Sequence, residues 1–174
     1  METLHTDAIL SGETPPLYRY WLERCWDDQR PVMVWVMLNP STADHTVNDP
    51  TILACMDFAR RTGCGSIVVV NLYAFRSPHP KVMKAAENPV GPLNYDYLRR
   101  AMQLVRDRPG SLAICGWGRG DFNYMALGLR RHAQEAGVSL HCFGVTKDGH
   151  PKHPLARGLH RIPRDTAPIA YEVM

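Results

Sequence analysis

The side chains best suited to chemistry stand directly after apolar runs of the sequence. The run "VWVML" is followed at once by Asn39, Pro40 and Ser41. Pro40 disfavours the helical conformation for Asn39 and so holds its amide in an extended segment. Such an amide offers two donors and one acceptor in a fixed plane, which suits a bound water or the edge of a small ligand. A polar turn that hydrogen-bonds to its own backbone explains the same residues, and both interpretations stay open.

A second amide and two carboxylates extend this set. Asn71 ends the apolar run "IVVVN", and Asp44 and Asp49 stand in the polar stretch after Ser41. A buried amide without a partner costs about 1–3 kcal/mol. Asn71 therefore either caps a loop, which is the commoner use, or reads the edge of a ligand. The carboxylates can assist a water that an amide holds, because an amide is not itself a base.

The sequence "ICGWGRG" places three glycines around Trp117. Their spacing is not the dinucleotide-binding fingerprint, and no acidic residue follows at the appropriate distance. A tight strand-to-helix turn explains the glycines, with Trp117 as a wall beside it.

A basic segment runs from Gly149 to Arg161. Its three histidines fit no standard zinc spacing, so we predict no metal site and no cofactor. Its cations and leucines interleave in the order Lys152, Leu155, Arg157, Leu159 and Arg161. A solvated loop explains this pattern; the alternative is a loop that contacts phosphates and inserts an apolar wedge into nucleic acid.

The composition is typical of a single globular domain spanning residues 1–174. Apolar residues make up 45% of the chain and charged residues 21%, and a net charge of +3 permits a polyanionic partner without requiring one. No apolar run reaches the roughly 18 residues of a membrane span, and the N-terminus lacks the basic region of a secretory signal. Five dispersed cysteines predict reduced, buried thiols. These features predict a cytoplasmic protein without a membrane partner.

Strand and helix patterns alternate along the middle of the chain. Unbroken apolar runs predict buried strands, at residues 31–38, 66–73, 111–118 and 138–144. Helices are predicted between and after them, from Asp49-Pro50 to near Gly63, from an N-cap at Asn94 to Asp107, and over residues 121–137. Residues 74–92 and those after 144 are predicted to be loops.

Two short segments near the N-terminus, "DAILS" and "YRYWLERCW", predict an antiparallel hairpin, with Arg19 and Glu23 on its polar side. The whole pattern predicts a three-layer α/β/α fold whose mainly parallel sheet has about four strands plus this N-terminal edge hairpin. Ligands bind such sheets beyond the carboxyl ends of the strands. Asn39, Asn71, Trp117 and His153 follow predicted strand ends, so we expect them to line one pocket.

Several of these segments resemble a bacterial and phage family of unknown function, the DUF1643 family. The similar segments cover nearly the whole chain and are "YRYWLERCW", "MLNPSTAD", "NDPTILACMDFAR", "VVNLYAFRS", "NPVGPLN", "WG" and "HPL".

The chain also resembles, at motif level over roughly residues 32–160, the uracil-DNA glycosylase superfamily. Asn39-Pro40 is similar to the water-positioning "NPG" motif of that superfamily, and "VVVNLYAFRS" is similar to its "LLLNxxLTVR" pattern, in which the Asn reads the base edge. Trp117-Gly118 is similar to a "WG" that follows a later strand. "HPLA", beginning at His153, looks like a shortened "HPSPL", the motif whose loop enters DNA.

This resemblance implies hydrolysis of the N-glycosidic bond of a damaged or modified base. The implied catalytic residues are Asn39, Asp44 and His153. The implied substrate-binding residues are Pro40, Ser41, Asn71, Tyr73, Phe75 and Trp117. The implied phosphate-binding residues are Arg76, Arg119, Lys152 and Arg157.

Three functions stay open from the sequence. The first is an enzyme that acts on a nucleobase or nucleotide, free or in DNA. The second is a non-catalytic module that binds a nucleotide or nucleic acid in the same pocket, which the lack of a general base in "NPST" favours. The third is a metal- or cofactor-dependent enzyme of another class, which the histidine spacing does not favour. The sequence carries no prediction of oligomeric state.

Overall fold

The computed structural model describes residues 4–44, 46–120 and 123–173, which are organised by one seven-stranded sheet. In chain order the strands are β1 (His5–Leu10), β2 (Arg19–Cys25), β3 (Val32–Met37), β4 (Ser66–Asn71), β5 (Leu112–Cys115), β6 (Leu140–Cys142) and β7 (Ile169–Ala170). Their order across the sheet is β1-β2-β4-β3-β5-β6-β7.

The centre of the sheet is parallel and its margins are antiparallel. Strands β4, β3, β5 and β6 pair in parallel, β2 runs antiparallel to β4, and β1 and β7 form antiparallel edges. The α/β class and the N-terminal hairpin are therefore confirmed. The expected mainly parallel sheet of about four strands is corrected to a mixed, seven-stranded one. The hairpin joins the parallel strands directly through β2, and β7 is too short to leave a pattern in the sequence.

The described residues form four α-helices, α1 (Pro50–Arg61), α2 (Pro80–Ala85), α3 (Asn94–Asp107) and α4 (Asn123–Ala136). Helix α1 begins as predicted, because Asp49 is the N-cap and its Oδ1 accepts from Ile52 N–H at 3.0 Å. The predicted N-cap at Asn94 is wrong, because Leu93 holds that position. Asn94 instead donates from Nδ2 to the carbonyls of Asn71 and Leu72, which ties the start of α3 to the end of β4.

Helices cover both faces of the sheet. Helix α1 packs against a cluster that contains Met33, Trp35 and Ile67, and α3 and α4 pack against one that contains Val34 and Val68. Every residue of β3 and β4 is buried. Two-sided burial explains why these strands are unbroken apolar runs in the sequence, and it leaves their ends as the place for polar side chains.

Some elements lie in segments predicted as loops: α2, β7 and a 3-10 turn at Gly158–His160. Helix α2 has no side-chain cap at its N-cap residue, His79, so its start carries little signal. All five cysteines are buried and unpaired, as predicted. None of the helices in the described ranges is long and apolar enough to cross a membrane.

Candidate functional site

A cavity of about 390 Å³ opens at the margin of the sheet where β3, β4 and β5 end. Its wall includes Asn39, Asn71, Trp117 and His153, the residues that the sequence predicted to share one pocket. They come from distant parts of the chain and meet because parallel strands point their carboxyl ends toward the same margin.

Asn71 is buried in this wall without a partner for its amide. Its side chain is 1% exposed, and neither Nδ2 nor Oδ1 has a hydrogen-bond partner among the described residues. Its backbone is held firmly, since its carbonyl accepts from Asn94 Nδ2 at 3.0 Å. An unsatisfied buried amide costs about 1–3 kcal/mol. Asn71 therefore caps no described loop, and its amide stands ready for a ligand with a complementary edge.

Asn39 fastens two loops together at the rim. Its Nδ2 donates to the carbonyl of Ser77 at 2.8 Å and to that of Pro40 at 3.1 Å. The Ser77 N–H in turn donates to the Pro40 carbonyl at 2.9 Å. The amide nitrogen of Asn39 is thus committed to the backbone, which leaves Oδ1 as the atom of this side chain that can accept from a water or ligand.

The two candidate carboxylates lie in different places. Asp44 is not in the cavity wall; its Oδ1 accepts from Thr46 N–H, Thr46 Oγ1 and Val47 N–H at 2.8–3.0 Å. That geometry is the self-bonded polar turn considered above. Asp49 does lie in the wall, with Oδ1 capping α1. The carboxylate at the cavity is therefore Asp49, whereas the predicted catalytic Asp44 closes its own turn.

His153 presents a hydrogen-bond donor in its neutral form. Its Nδ1 accepts from Leu155 N–H at 3.1 Å, so the neutral ring carries its proton on Nε2. Burial lowers the pKa of His153, and the nearby Asp49 acts in the opposite direction with a smaller effect. The ring is consequently neutral at pH 7.

Glycines position the segment that carries His153. Gly118 has φ of 79°, a left-handed conformation that favours glycine, and its N–H donates to the carbonyl of Pro151 at 3.0 Å. A Cβ at Gly116 would lie 3.1 Å from the Trp35 ring and from Met37 Sδ. The "ICGWG" glycines thus serve tight turning and close packing, as the sequence indicated.

The predicted position of Arg19 on the polar side of the hairpin is wrong. Strict alternation puts it beside Glu23 on the polar side of the hairpin, yet it is 3% exposed and lies in the cavity wall. Strand β1 pairs with Arg19 and with Trp21 at successive positions and skips Tyr20. Such an extra residue re-aims the side chains beyond it, and it turns Arg19 toward the cavity.

The two buried arginines of β2 differ in how their hydrogen bonds are satisfied. Arg24 donates to Asn48 Oδ1 at 2.8 Å and to the carbonyl of Asp44, and so holds the turn around them. Arg19 donates from Nη1 to the carbonyl of Ala43 at 2.6 Å, but its Nε is buried without an acceptor among the described residues. Burial lowers the pKa of Arg19 to about 10, so it remains a cation at neutral pH. Arg24 is structurally saturated, whereas Arg19 has donors in reserve.

Three more predicted residues lie in the cavity wall: Ser41, Trp117 and Arg119. Trp117 is 3% exposed and packs edge-on against Tyr171, which fixes its ring. Arg119 is exposed and forms an ion pair with Asp148 at 2.9 Å.

The remaining predicted residues are outside the described lining: Pro40, Tyr73, Phe75, Arg76, Lys152 and Arg157. Phe75 packs edge-on against Tyr18, and Tyr73 packs against the core under α3 and α4. Arg157 is exposed on the surface. A residue that sequence reasoning missed, Thr51, joins the wall because α1 begins at this margin.

Residues that commonly bind metals do not gather at this site or elsewhere in the described chain. Across residues 4–44, 46–120 and 123–173, no group of three or more His, Cys, Asp or Glu side chains could hold a metal ion. The titratable groups of the cavity wall are two arginines, Asp49 and the neutral His153. The chemistry available there is hydrogen bonding, anion binding and proton transfer to one carboxylate.

Comparison with known families identifies a matching one. The profile of a family described as "Protein of unknown function (DUF1643)" matches residues 19–155, which include all the cavity-wall residues described above. This match confirms the family resemblance seen in the sequence. No curated protein and no solved structure matches the chain.

Proposed function

The chain belongs to the DUF1643 family, and we propose that it is an enzyme that binds a nucleobase or nucleotide in this cavity and hydrolyses an N-glycosidic bond. The observation that carries the proposal is the buried, unpaired amide of Asn71 in the wall of a cavity at the carboxyl margin of the sheet. The reaction class comes from the motif resemblance to uracil-DNA glycosylases.

The Asn71 amide suits the edge of a base. It offers two donors and one acceptor atom within one plane, and a pyrimidine or purine edge presents the complementary groups. The cavity volume of about 390 Å³ is within the range of small-ligand sites. Because both amide atoms are nearly closed to solvent, a base reaches them when a neighbouring wall side chain moves aside. The rigid Trp117 supplies an apolar surface beside the base.

Asp49 and His153 divide the chemistry between them. A water attacks C1′ of the sugar, the bond from C1′ to the base nitrogen breaks, and its electron pair leaves with the base. Asp49 takes the proton of the attacking water, and Asn39 Oδ1 orients that water. His153 donates from Nε2 to a carbonyl of the leaving base, where it stabilises the negative charge that forms.

The surface loop at residues 157–161, which follows the His153 segment in the chain, offers contacts for a nucleic-acid strand. Leu159 is fully exposed at the tip of the 3-10 turn, and the cations Arg157 and Arg161 flank it, both exposed. An exposed leucine between arginines suits a loop that contacts phosphates and wedges a base step apart. These contacts support nucleic acid as a partner in addition to free nucleotides.

A second candidate is a binding module that uses the same cavity without bond cleavage. It is favoured by the commitment of the Asn39 amide nitrogen and of the Asp44 carboxylate to hydrogen bonds within the fold. In this version Asn71 reads the base, and Asp49 serves as the α1 cap without taking a proton.

The test is release of free base from oligonucleotides that contain uracil, hypoxanthine or a mismatch, single- and double-stranded, with free nucleosides in parallel. We expect Asp49→Asn to abolish release while α1 keeps a good cap. The matched control is Asp44→Asn, which we expect to retain release because that carboxylate lies outside the cavity. Binding without release from any substrate would leave the binding module, and neither binding nor release would reject both.

A further inference from the structure

In the described part of the chain, the buried guanidinium of Arg19 has an unsatisfied hydrogen-bond donor, and a base bound to Asn71 does not account for it. The Arg19 side chain is 3% exposed, and its Nε has no acceptor among the described residues. None of the ion pairs among those residues involves Arg19. Burying a cation is costly unless hydrogen bonds and an opposite charge compensate it. The carbonyl of Ala43 supplies one hydrogen bond, and the nearby negative charges of Asp49 and Asp44 offset part of the cost of burying the cation. The Nε donor of Arg19 still lacks an acceptor among the described residues.

The N-terminus of α1 opens into the same cavity. Thr51 lies in the wall at the second helical position, where its N–H has no intrahelical acceptor and donates to no described residue. The hydroxyls of Thr51 and Ser41, both half-buried in the wall, also bond to no described side chain or carbonyl. Free donors at the positive end of a 12-residue helix favour a bound anion.

The charges around the cavity leave room for an anion. Asp49 is the negative group of the wall, and its Oδ1 is occupied by the N–H of Ile52. The positive groups of the wall are Arg19, the N-terminus of α1 and Arg119, and Arg119 already forms an ion pair with Asp148. Apart from the Asn71 amide and His153 Nε2, which the proposed function assigns to the base, the unused donors of the described wall include those of Arg19, Thr51 and Ser41.

We propose that Arg19, Thr51 and Ser41 form a phosphate subsite, so that the ligand of this cavity carries a phosphate as well as a base. The inference rests on the proposed function, because the base on Asn71 and the phosphate on Arg19 belong to one nucleotide. A guanidinium fork and a helix N-terminus both match the tetrahedral oxygens of phosphate. The phosphate is either the monoester of a free nucleotide or the diester of a strand.

The experiment compares ligands that differ by the phosphate. Calorimetric titration of the wild-type protein uses deoxynucleosides of the natural bases, uracil and hypoxanthine, their 5′-monophosphates, and uracil-containing single strands. We expect a phosphate-bearing ligand to bind at least about tenfold more tightly than its nucleoside, which is about 1.4 kcal/mol. Tighter binding of the monophosphate identifies a free nucleotide, and tighter binding of the strand alone identifies a diester.

Variants test whether the tighter binding of phosphate-bearing ligands comes from the subsite. Arg19→Gln should remove the preference for phosphate, and Thr51→Val, which keeps the side-chain shape, should reduce it about threefold. Because Arg19 is buried, the melting temperature of the Arg19→Gln variant is measured in parallel. If that variant does not fold, Thr51→Val and Ser41→Ala provide the test. Arg131→Gln, an exposed cation on α4, is the control that leaves the preference intact.

The outcomes separate this inference from the proposed function. Equal binding of nucleosides and phosphate-bearing ligands overturns the subsite and leaves the base site standing. Tight binding of phosphate-bearing ligands regardless of base, lost in Arg19→Gln or reduced in Thr51→Val, supports the subsite and rejects base reading. A preference for phosphate that survives Arg19→Gln and Thr51→Val, or no binding of any of these ligands or of inorganic phosphate, overturns the subsite.

Discussion

Replacing Asn71 with leucine should stabilise the ligand-free protein and abolish base binding. Leucine has the same number and branching of side-chain heavy atoms as asparagine, and both amide atoms of Asn71 are buried without partners among the described residues. Each unsatisfied buried group costs about 1–3 kcal/mol, and part of that cost disappears when the group is apolar. We therefore expect the free energy of unfolding to rise by about 1–3 kcal/mol. For a domain of this size that is about 2–4 °C in melting temperature per kcal/mol.

The matched control is Asn94→Leu, the neighbouring buried asparagine. Asn94 is 0% exposed, and its Nδ2 donates to the carbonyls of Asn71 and Leu72 at 3.0 and 2.9 Å. Its replacement leaves those two carbonyls without this donor, so we expect a loss of about 1–3 kcal/mol. The same substitution at two adjacent buried sites should therefore change stability in opposite directions.

Urea unfolding of both variants and of the wild type measures these changes, and calorimetric titration with nucleosides and nucleotides measures binding. A destabilised Asn71→Leu, with a loss like that of Asn94→Leu, would show that the Asn71 amide is bonded within the fold. A stabilised Asn71→Leu that still discriminates between bases would show that the amide reads no base edge. Either result refutes the assignment of Asn71.

Four further predictions concern the cap, the histidine, the surface arginines and the structural arginine. Asp49→Ala should lose about 1 kcal/mol of stability with the α1 cap, whereas Asp49→Ser should keep the cap; base release should vanish in both, and release by either would reject Asp49 as the base. Burial holds the pKa of His153 below its ordinary value of 6.5, so the unfolded chain binds this proton more readily. Stability should therefore fall as the pH drops below about 6.5, and unfolding titrations of His153→Gln should show a weaker dependence. Arg157→Ala and Arg161→Ala should each lower the slope of log affinity against log salt by about 0.7–0.9 if that arginine contacts a DNA phosphate; an unchanged slope would remove the surface loop from the interface. Arg24→Met should cost about 3 kcal/mol in urea unfolding, because the buried cation bonds the turn at Asp44 and Asn48; a neutral effect would contradict its structural role.

The parts of the site that could be predicted were those set by strand ends. Asn39 and Asn71 each end or follow an unbroken apolar run, and the parallel pairing of β3 with β4 aligns Met37 with Asn71. Once the runs are recognised as buried parallel strands, the shared margin follows from geometry. The same logic found Trp117 after β5 and His153 after β6.

The parts that could not be predicted depended on local irregularities. The skipped residue at Tyr20 reverses which face Arg19 occupies, and one-residue shifts in a strand leave no mark in an alternating pattern. Asp44 and Asp49 are equally polar in the sequence, and it is the turn closed by Asp44 onto Thr46 and Val47 that separates them. The additional strand β7 has two residues, too few for any periodicity.

Residue type alone does not distinguish the buried polar groups of this fold, but the use of their donors does so for two matched pairs, although Asn94 Oδ1 also lacks a partner among the described residues. Arg24 and Asn94 are buried and bonded to backbone carbonyls, whereas Arg19 and Asn71 are equally buried and leave donors unused. Of the eight buried, unpaired side-chain atoms in the described residues, three belong to Arg19 and Asn71 in the wall of one cavity. A fold tolerates such unsatisfied groups together where a ligand completes them, because each costs stability in its absence. The nucleotide proposed above would satisfy both at once, because it carries an anion and a planar edge of donors and acceptors.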